Sequence, residues 1–204
     1  GLAASAAGQI APMETGTTML AGESTQTSFN YRDDRGPAVW GTLDPAWEIC
    51  DSGSNQSPIN IVQGSTTAGN DTEIAFSYSP VPITILNNGK TLEFQGLTGN
   101  SITIGSRVFN LVNIHFHAPS EHTFNGGSFA AEVHFVHADA DGALAVIGVM
   151  IVEGATANPA FTSTERLQQL IPDAKGLTYK FDSTLDIVSL LPATRDYYHY
   201  MGSL

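Results

Sequence analysis

Asn113-Ile114-His115-Phe116-His117-Ala118-Pro119-Ser120-Glu121-His122 and Ala131-Glu132-Val133-His134-Phe135-Val136-His137 carry five of the chain's six histidines. Both segments are strand-like. Successive even-numbered steps along a strand point the same way, so His115 and His117 project together. A third ligand for a shared metal must then come from a neighbouring strand. Asn125-Gly126, between the two segments, is the favoured pair for a two-residue type I′ hairpin. In that register Phe124 faces Gly127, and counting back sets His117 opposite His134. Directly opposed residues share a face, so the three imidazoles converge. Pro119 cannot donate to a central ladder, and a bulge beside it would shift the register.

The rest of the chain reads the same way. Short strand-like runs end in turn signals: Ile83 to Leu86 before Asn87-Asn88-Gly89, Ser101 to Ile104 before Gly105, and Val108 to Phe116. Ala143 to Val152 is the longest apolar run, interrupted by Gly148 and rich in β-branched residues, which predicts a buried strand. One helix is predicted over residues 163–170, with Thr164 able to cap and Leu167 and Leu170 on one face, and a short helical turn over 186–191. Residues 1–36 are rich in Gly, Ala, Ser and Thr without periodicity, and read as an extended, partly disordered arm before a single domain over 37–204. The expected fold is mainly β with little helix.

Composition narrows the partners. The 204 residues include 20 acids against 8 bases, a formal charge of −12. Such a surface is not attracted to nucleic acid or to anionic membrane. No stretch reaches the roughly 20 apolar residues that cross a bilayer. Cys50 is the one cysteine. The triplets beginning at Asn55 and Asn70 are acceptors for N-glycosylation, which points to a secreted, extracellular or periplasmic protein whose signal peptide has been removed.

Three neutral imidazoles with an open fourth position form the catalytic type of zinc site. Isolated histidines are usually core or surface residues, and His122, His137 and His199 are read so. Glu132 stands two residues from His134 on the same face, where it can accept the ring N–H turned away from the metal; Asn113 stands likewise to His115. Glu121 also falls on the metal face by parity. An ordinary exposed side chain is the alternative for each.

Together these segments resemble the α-class carbonic anhydrases, in particular secreted microbial or fungal members. Gln56-Ser57-Pro58-Ile59-Asn60-Ile61, preceded by Trp47 and Cys50, is similar to that family's signature. So are the two histidine segments, Leu144-Ala145-Val146-Ile147-Gly148 and the closing Tyr200-Met201-Gly202-Ser203-Leu204. The resemblance runs from about residue 40 to the last. It implies a twisted, mostly antiparallel sheet of about ten strands and zinc held by His115, His117 and His134, with Asn113 and Glu132 in support. It implies that Glu121 orients a threonine beside zinc-bound hydroxide, that Val136, Val146 and Leu204 wall the carbon dioxide pocket, and that the reaction is reversible hydration to bicarbonate and a proton. A three-histidine zinc site is the standing example of this family, so site and resemblance are one inference.

Two departures stand out. Gly-Ser-Leu leads in the family into the active-site threonine, followed by a second half-cystine, so further polypeptide is expected, as residues beyond Leu204 or as a fragment joined through a Cys50 disulfide. Lys90 occupies the position of the proton-shuttling histidine of fast members. A homodimer also remains open. The rival readings are a carbonic-anhydrase-like binding module without catalysis, and a cupin, whose second motif needs a Pro-x-Gly absent from 128–133.

Overall fold

The alternating runs form strands. The computed structural model describes residues 2–7, 29, 33–69, 72–156, 158 and 176–203. Its strands are β1 (Leu2–Ala7), β2 (Asn60–Ile61), β3 (Ile74–Ser77), β4 (Val81–Asn87), β5 (Leu92–Phe94), β6 (Ser101–Ile104), β7 (Arg107–His117), β8 (Thr123–Phe124), β9 (Gly127–Ser128), β10 (Ala131–Ala138), β11 (Leu144–Ile151), β12 (Thr178–Leu185) and β13 (Tyr197–Tyr200). Ten of them make one sheet, ordered β12-β4-β5-β7-β10-β11-β1-β13, with β6 pairing both β7 and β3; β2, β8 and β9 make a small second sheet. Among the described residues of the large sheet, only β1 and β13 run parallel. The expected mainly β, roughly ten-stranded antiparallel fold is the one observed.

One irregularity divides the sheet into a core face and a site face. In β7 the buried residues are Phe109 and Leu111, then Ile114. Parity therefore changes between 111 and 114. The pairing with β10 shows why: Leu111 faces His137 and Asn113 faces Val136, so Val112 is the extra residue of a bulge. Such a bulge re-aims the residues after it. Phe109, Leu111 and Ile114 join Val133, Phe135, Ala145, Ile147 and Val149 in the core. Asn113, His115 and His117 thereby fall on the opposite face.

The hairpin forms as expected, with Phe124 opposite Gly127 and left-handed conformations at Asn125 (φ 49°) and Gly126 (φ 84°). The register of β7 on β10 does not follow from it. His115, not His117, faces His134, and His117 faces Glu132. The segment 118–122 holds two residues more than a regular ladder needs. Pro119 has no N–H to donate, and Ser120 closes the excursion instead: its N–H donates to Phe129 O (3.1 Å) and its Oγ accepts from Phe129 N (2.8 Å). A shift of two residues preserves parity, so the convergence of the three histidines survives the correction. Asn60 braces the same hairpin, its Oδ1 accepting from Thr123 Oγ1 and Gly126 N, both at 2.9 Å.

His137 lies on the core face, fully buried. Its Nδ1–H donates to Ala145 O at 3.1 Å, and its Nε2 accepts from the Tyr78 hydroxyl at 2.6 Å. Burial lowers its pKa to about 4, opposed by hydrogen bonds to the Ala145 and Phe135 backbone.

Residues 187–190 form the expected helical turn, capped by Asp186 Oδ1 accepting from Val188 N at 3.1 Å. The helix expected over 163–170 lies outside the described residues. Of the expected arm, 2–7 form β1, between β11 and β13. Residues 9–56 cluster as a separate unit, whose described part holds α1 (Trp40–Leu43) and α2 (Ile49–Ser52). Within it Phe29 stacks edge-on against Trp40 (4.9 Å) and Trp47 (5.7 Å). Cys50, in α2, is an exposed free thiol, and Asn55 is exposed in the turn that follows.

Candidate metal centre

His115 and His117 come from the last residues of β7, and His134 from the middle of β10. Their ring centroids are 4.9, 5.2 and 4.8 Å apart. One nitrogen from each ring falls in a group spanning no more than 4.8 Å, a spacing that can hold one metal ion. Burial lowers the pKa of His115 to about 4 and of His117 to about 3, and the neighbouring imidazoles push both the same way. Both are therefore neutral, as a metal ligand must be, throughout the physiological range.

Outer partners decide which nitrogen each ring presents. Asn113 Oδ1 accepts from His115 Nδ1–H at 2.8 Å, which leaves Nε2 unprotonated. Glu132 Oε1 accepts from His134 Nε2–H at 2.8 Å, which leaves Nδ1. Glu132 is fully buried and accepts three further hydrogen bonds. His122 Nδ1–H reaches Oε1 at 2.6 Å, and the Glu121 and His122 backbone N–H groups reach Oε2 at 3.0 and 2.9 Å. Burial alone would raise this carboxyl; the hydrogen bonds to His122 and His134 outweigh it and hold the pKa well below the usual range. An ionised carboxylate can only accept, so both ring nitrogens facing it carry protons.

The order continues outward. With its Nδ1 protonated, His122 accepts at Nε2 from the Tyr200 hydroxyl (2.7 Å), and Tyr200 accepts in turn from Ser57 Oγ (2.7 Å). A directed chain thus runs from Ser57 through Tyr200 and His122 to Glu132. Two glycines make room for it. A Cβ on Gly148 would lie 2.5 Å from Glu132 Oε1, and one on Gly202 would lie 2.6 Å from Ser57 Cβ.

The other expected residues are placed as follows. Glu121 Oε2 lies 3.2 Å from His117 Nε2 and 3.8 Å from His134 Nδ1, directly at the triad. Val136 and Val146 face each other across β10 and β11 on the histidine side of the sheet. Lys90 is exposed in the turn before β5, where Asn88 Oδ1 accepts from the Lys90 and Thr91 backbone N–H groups. Leu204 and Asn70 lie outside the described residues. The sequence reads His122 as a structural or surface residue and gives no role to Ser57, Tyr200 or Gly148; all four lie within the segments that carry the family resemblance.

Fold and site define a β-sheet protein with a three-histidine centre on the open face of its sheet. Comparison with known proteins gives the family. The model of the eukaryotic-type carbonic anhydrases matches residues 35–204. The carbonic anhydrase of Pectobacterium atrosepticum is 37% identical over 184 residues, 90% of this chain and 73% of that protein. The α-carbonic anhydrase of Thermovibrio ammonificans, solved with the inhibitor sulfanilamide, superposes with a TM-score of 0.76 at 33% identity, over 87% of this chain and 77% of that one. A hyperthermostable carbonic anhydrase from a hydrothermal vent chimney gives 0.76 at 39% identity, with the same coverage. The chain belongs to the eukaryotic-type, or alpha, carbonic anhydrase family, and it is an enzyme of that class, a lyase acting on carbon dioxide and bicarbonate.

Proposed function

We propose that His115 Nε2, His117 Nε2 and His134 Nδ1 hold a zinc ion, and that the protein uses it for reversible hydration of carbon dioxide. The observation that carries this reading is the tautomer control. Asn113 and Glu132 each bind the nitrogen turned away from the triad, leaving lone pairs aimed inward. Zinc, when bound, supplies a Lewis acid that brings water in its open position towards neutral pKa, behaviour for which this family is the standing example.

The chain's own residues do the rest. Val136 and Val146 offer an apolar wall for a substrate with no net dipole. Glu121 brings an acceptor to the edge of the triad. Glu132, fixed by four donors, keeps His134 from rotating or taking its proton on Nδ1. Hydration consumes water and releases bicarbonate and one proton, which must reach solvent. Lys90, in the exposed turn, stands where fast members of the family carry the histidine that relays it.

Zinc content measured together with carbon dioxide hydration tests the reading. His134→Ala is expected to lose zinc and activity, because two imidazoles do not complete a tetrahedral site. His137→Ala, altered on the core face, is expected to keep the metal. The reverse pattern would show the ligand assignment to be wrong.

A further inference from the structure

Glu93 occupies a place that neither the ligand set nor its supports explain. It pairs directly with His115 across β5 and β7, while His115 pairs with His134 and His134 with Gly148. Glu93, His115, His134 and Gly148 thus form one row across four strands. Directly opposed residues share a face, so Glu93 stands beside His115 on the metal side. Strands lie about 4.8 Å apart, which sets the carboxylate within about 5–10 Å of the triad.

The partners of Glu93 leave its charge uncompensated. Asn88 Nδ2 donates to Oε2 at 3.4 Å and Gln95 Nε2 donates to Oε1 at 3.3 Å, both neutral amides. None of the ion pairs among the described residues includes Glu93. Of the other carboxylates on this face, Glu121 lies against His117 and His134, and Glu132 is saturated by four donors. A half-buried, unpaired negative charge beside a metal centre acts on ligands according to their charge. Carbon dioxide is neutral; bicarbonate and most competing ligands of zinc are anions.

We propose that Glu93 is a specificity-determining residue that selects against anions at the metal, weakening the hold on bicarbonate and anionic inhibitors while leaving the neutral substrate untouched. The inference rests on the proposed zinc site. Coulomb repulsion over this distance, in the intermediate dielectric of a half-exposed site, is worth about a 5- to 10-fold change in anion affinity.

The probe is thiocyanate, titrated calorimetrically into the zinc-loaded protein, with imidazole above pH 8 as a neutral ligand for the same position. Glu93→Gln, which keeps the shape and removes the charge, is expected to bind thiocyanate about 5- to 10-fold more tightly with imidazole unchanged within about twofold. Glu93→Asp, which keeps the charge, is expected to remain near the parent protein. Unchanged thiocyanate affinity in Glu93→Gln overturns the proposal. So does a parallel gain for thiocyanate and imidazole, which would mean a reshaped site. A parent protein that takes up no zinc would instead overturn the metal-centre reading on which this inference stands.

Discussion

Glu132→Gln changes one heavy atom, and its consequence follows from the donors the carboxylate faces. Oε2 accepts from two backbone N–H groups, those of Glu121 and His122, and neither can reverse its polarity. The amide oxygen must therefore take that place, and the NH2 group must take the place of Oε1. There it meets His122 Nδ1 and His134 Nε2, at the 2.6 and 2.8 Å now spanned by two N–H donors. Donor would face donor unless both rings move their protons. For His134 the proton then sits on Nδ1, the nitrogen assigned to the proposed zinc. A charge-assisted bond of about 1.5–3 kcal/mol is exchanged for a neutral one with the wrong tautomer. Losing such an outer partner costs roughly 10–100-fold in metal affinity, or about 1.4–2.8 kcal/mol. Competition titration against a chromophoric chelator measures this, and nitrogen NMR of the His134 ring reads the tautomer directly. Zinc affinity within about threefold of the parent, or a ring proton still on Nε2, would refute the reasoning.

Three further outcomes are expected. Gly148→Ala drives a methyl group into Glu132 Oε1 at 2.5 Å, and should cost about 1–3 kcal/mol in urea unfolding together with weaker zinc binding, whereas Gly64→Ala, with open space at its Cβ, should be near neutral. Tyr200→Phe strands His122 Nε2 and Ser57 Oγ, and should lower stability by about 1–2 kcal/mol with zinc content unchanged; an unaltered melting temperature would contradict the directed chain. The His137 pKa, lowered to about 4 in the fold, makes the native state bind fewer protons than the unfolded chain. Its stabilisation is thus complete above pH 6.5 and lost between about 6.5 and 4, about 3 kcal/mol in all, so denaturation curves of the parent and of His137→Gln should differ in slope by about one proton in that window and not above it.

How much of this the sequence discloses depends on whether the determining contacts are local. Strand parity is local: polar and apolar residues alternate from 113 to 117 and from 132 to 135, and the three histidines land on one face as parity requires. The Asn125-Gly126 turn is local too, because both residues need left-handed backbone that few others adopt. Register is not local. The two extra residues in 118–122 are tied down by Phe129 from the far side of the hairpin and by Glu132 from β10, contacts that no turn motif encodes. The shift of two residues is harmless only because it is even; a shift of one would send His134 into the core.

The bulge at Val112 turns on the same question of parity. A continuous strand from Arg107 to His117 would keep Phe109, Leu111, Asn113 and His115 on one face, placing core and site residues together. The single extra residue lets one eleven-residue strand serve the apolar core with its first half and the histidine triad with its second. Apolar side chains before the bulge and imidazoles after it are each correct for their face, and the local trace of the change is the adjacent apolar pair Leu111-Val112, which puts the alternation out of phase by one residue. The row from Glu93 to Gly148 is hidden for a related reason, since it runs across strands that are separated in sequence and adjacent only once the sheet has formed. The residues most exactly matched to one another at this site are therefore the ones the chain must fold to bring together: a carboxylate whose four donors come from two segments, and a glycine on a third strand that makes room for it.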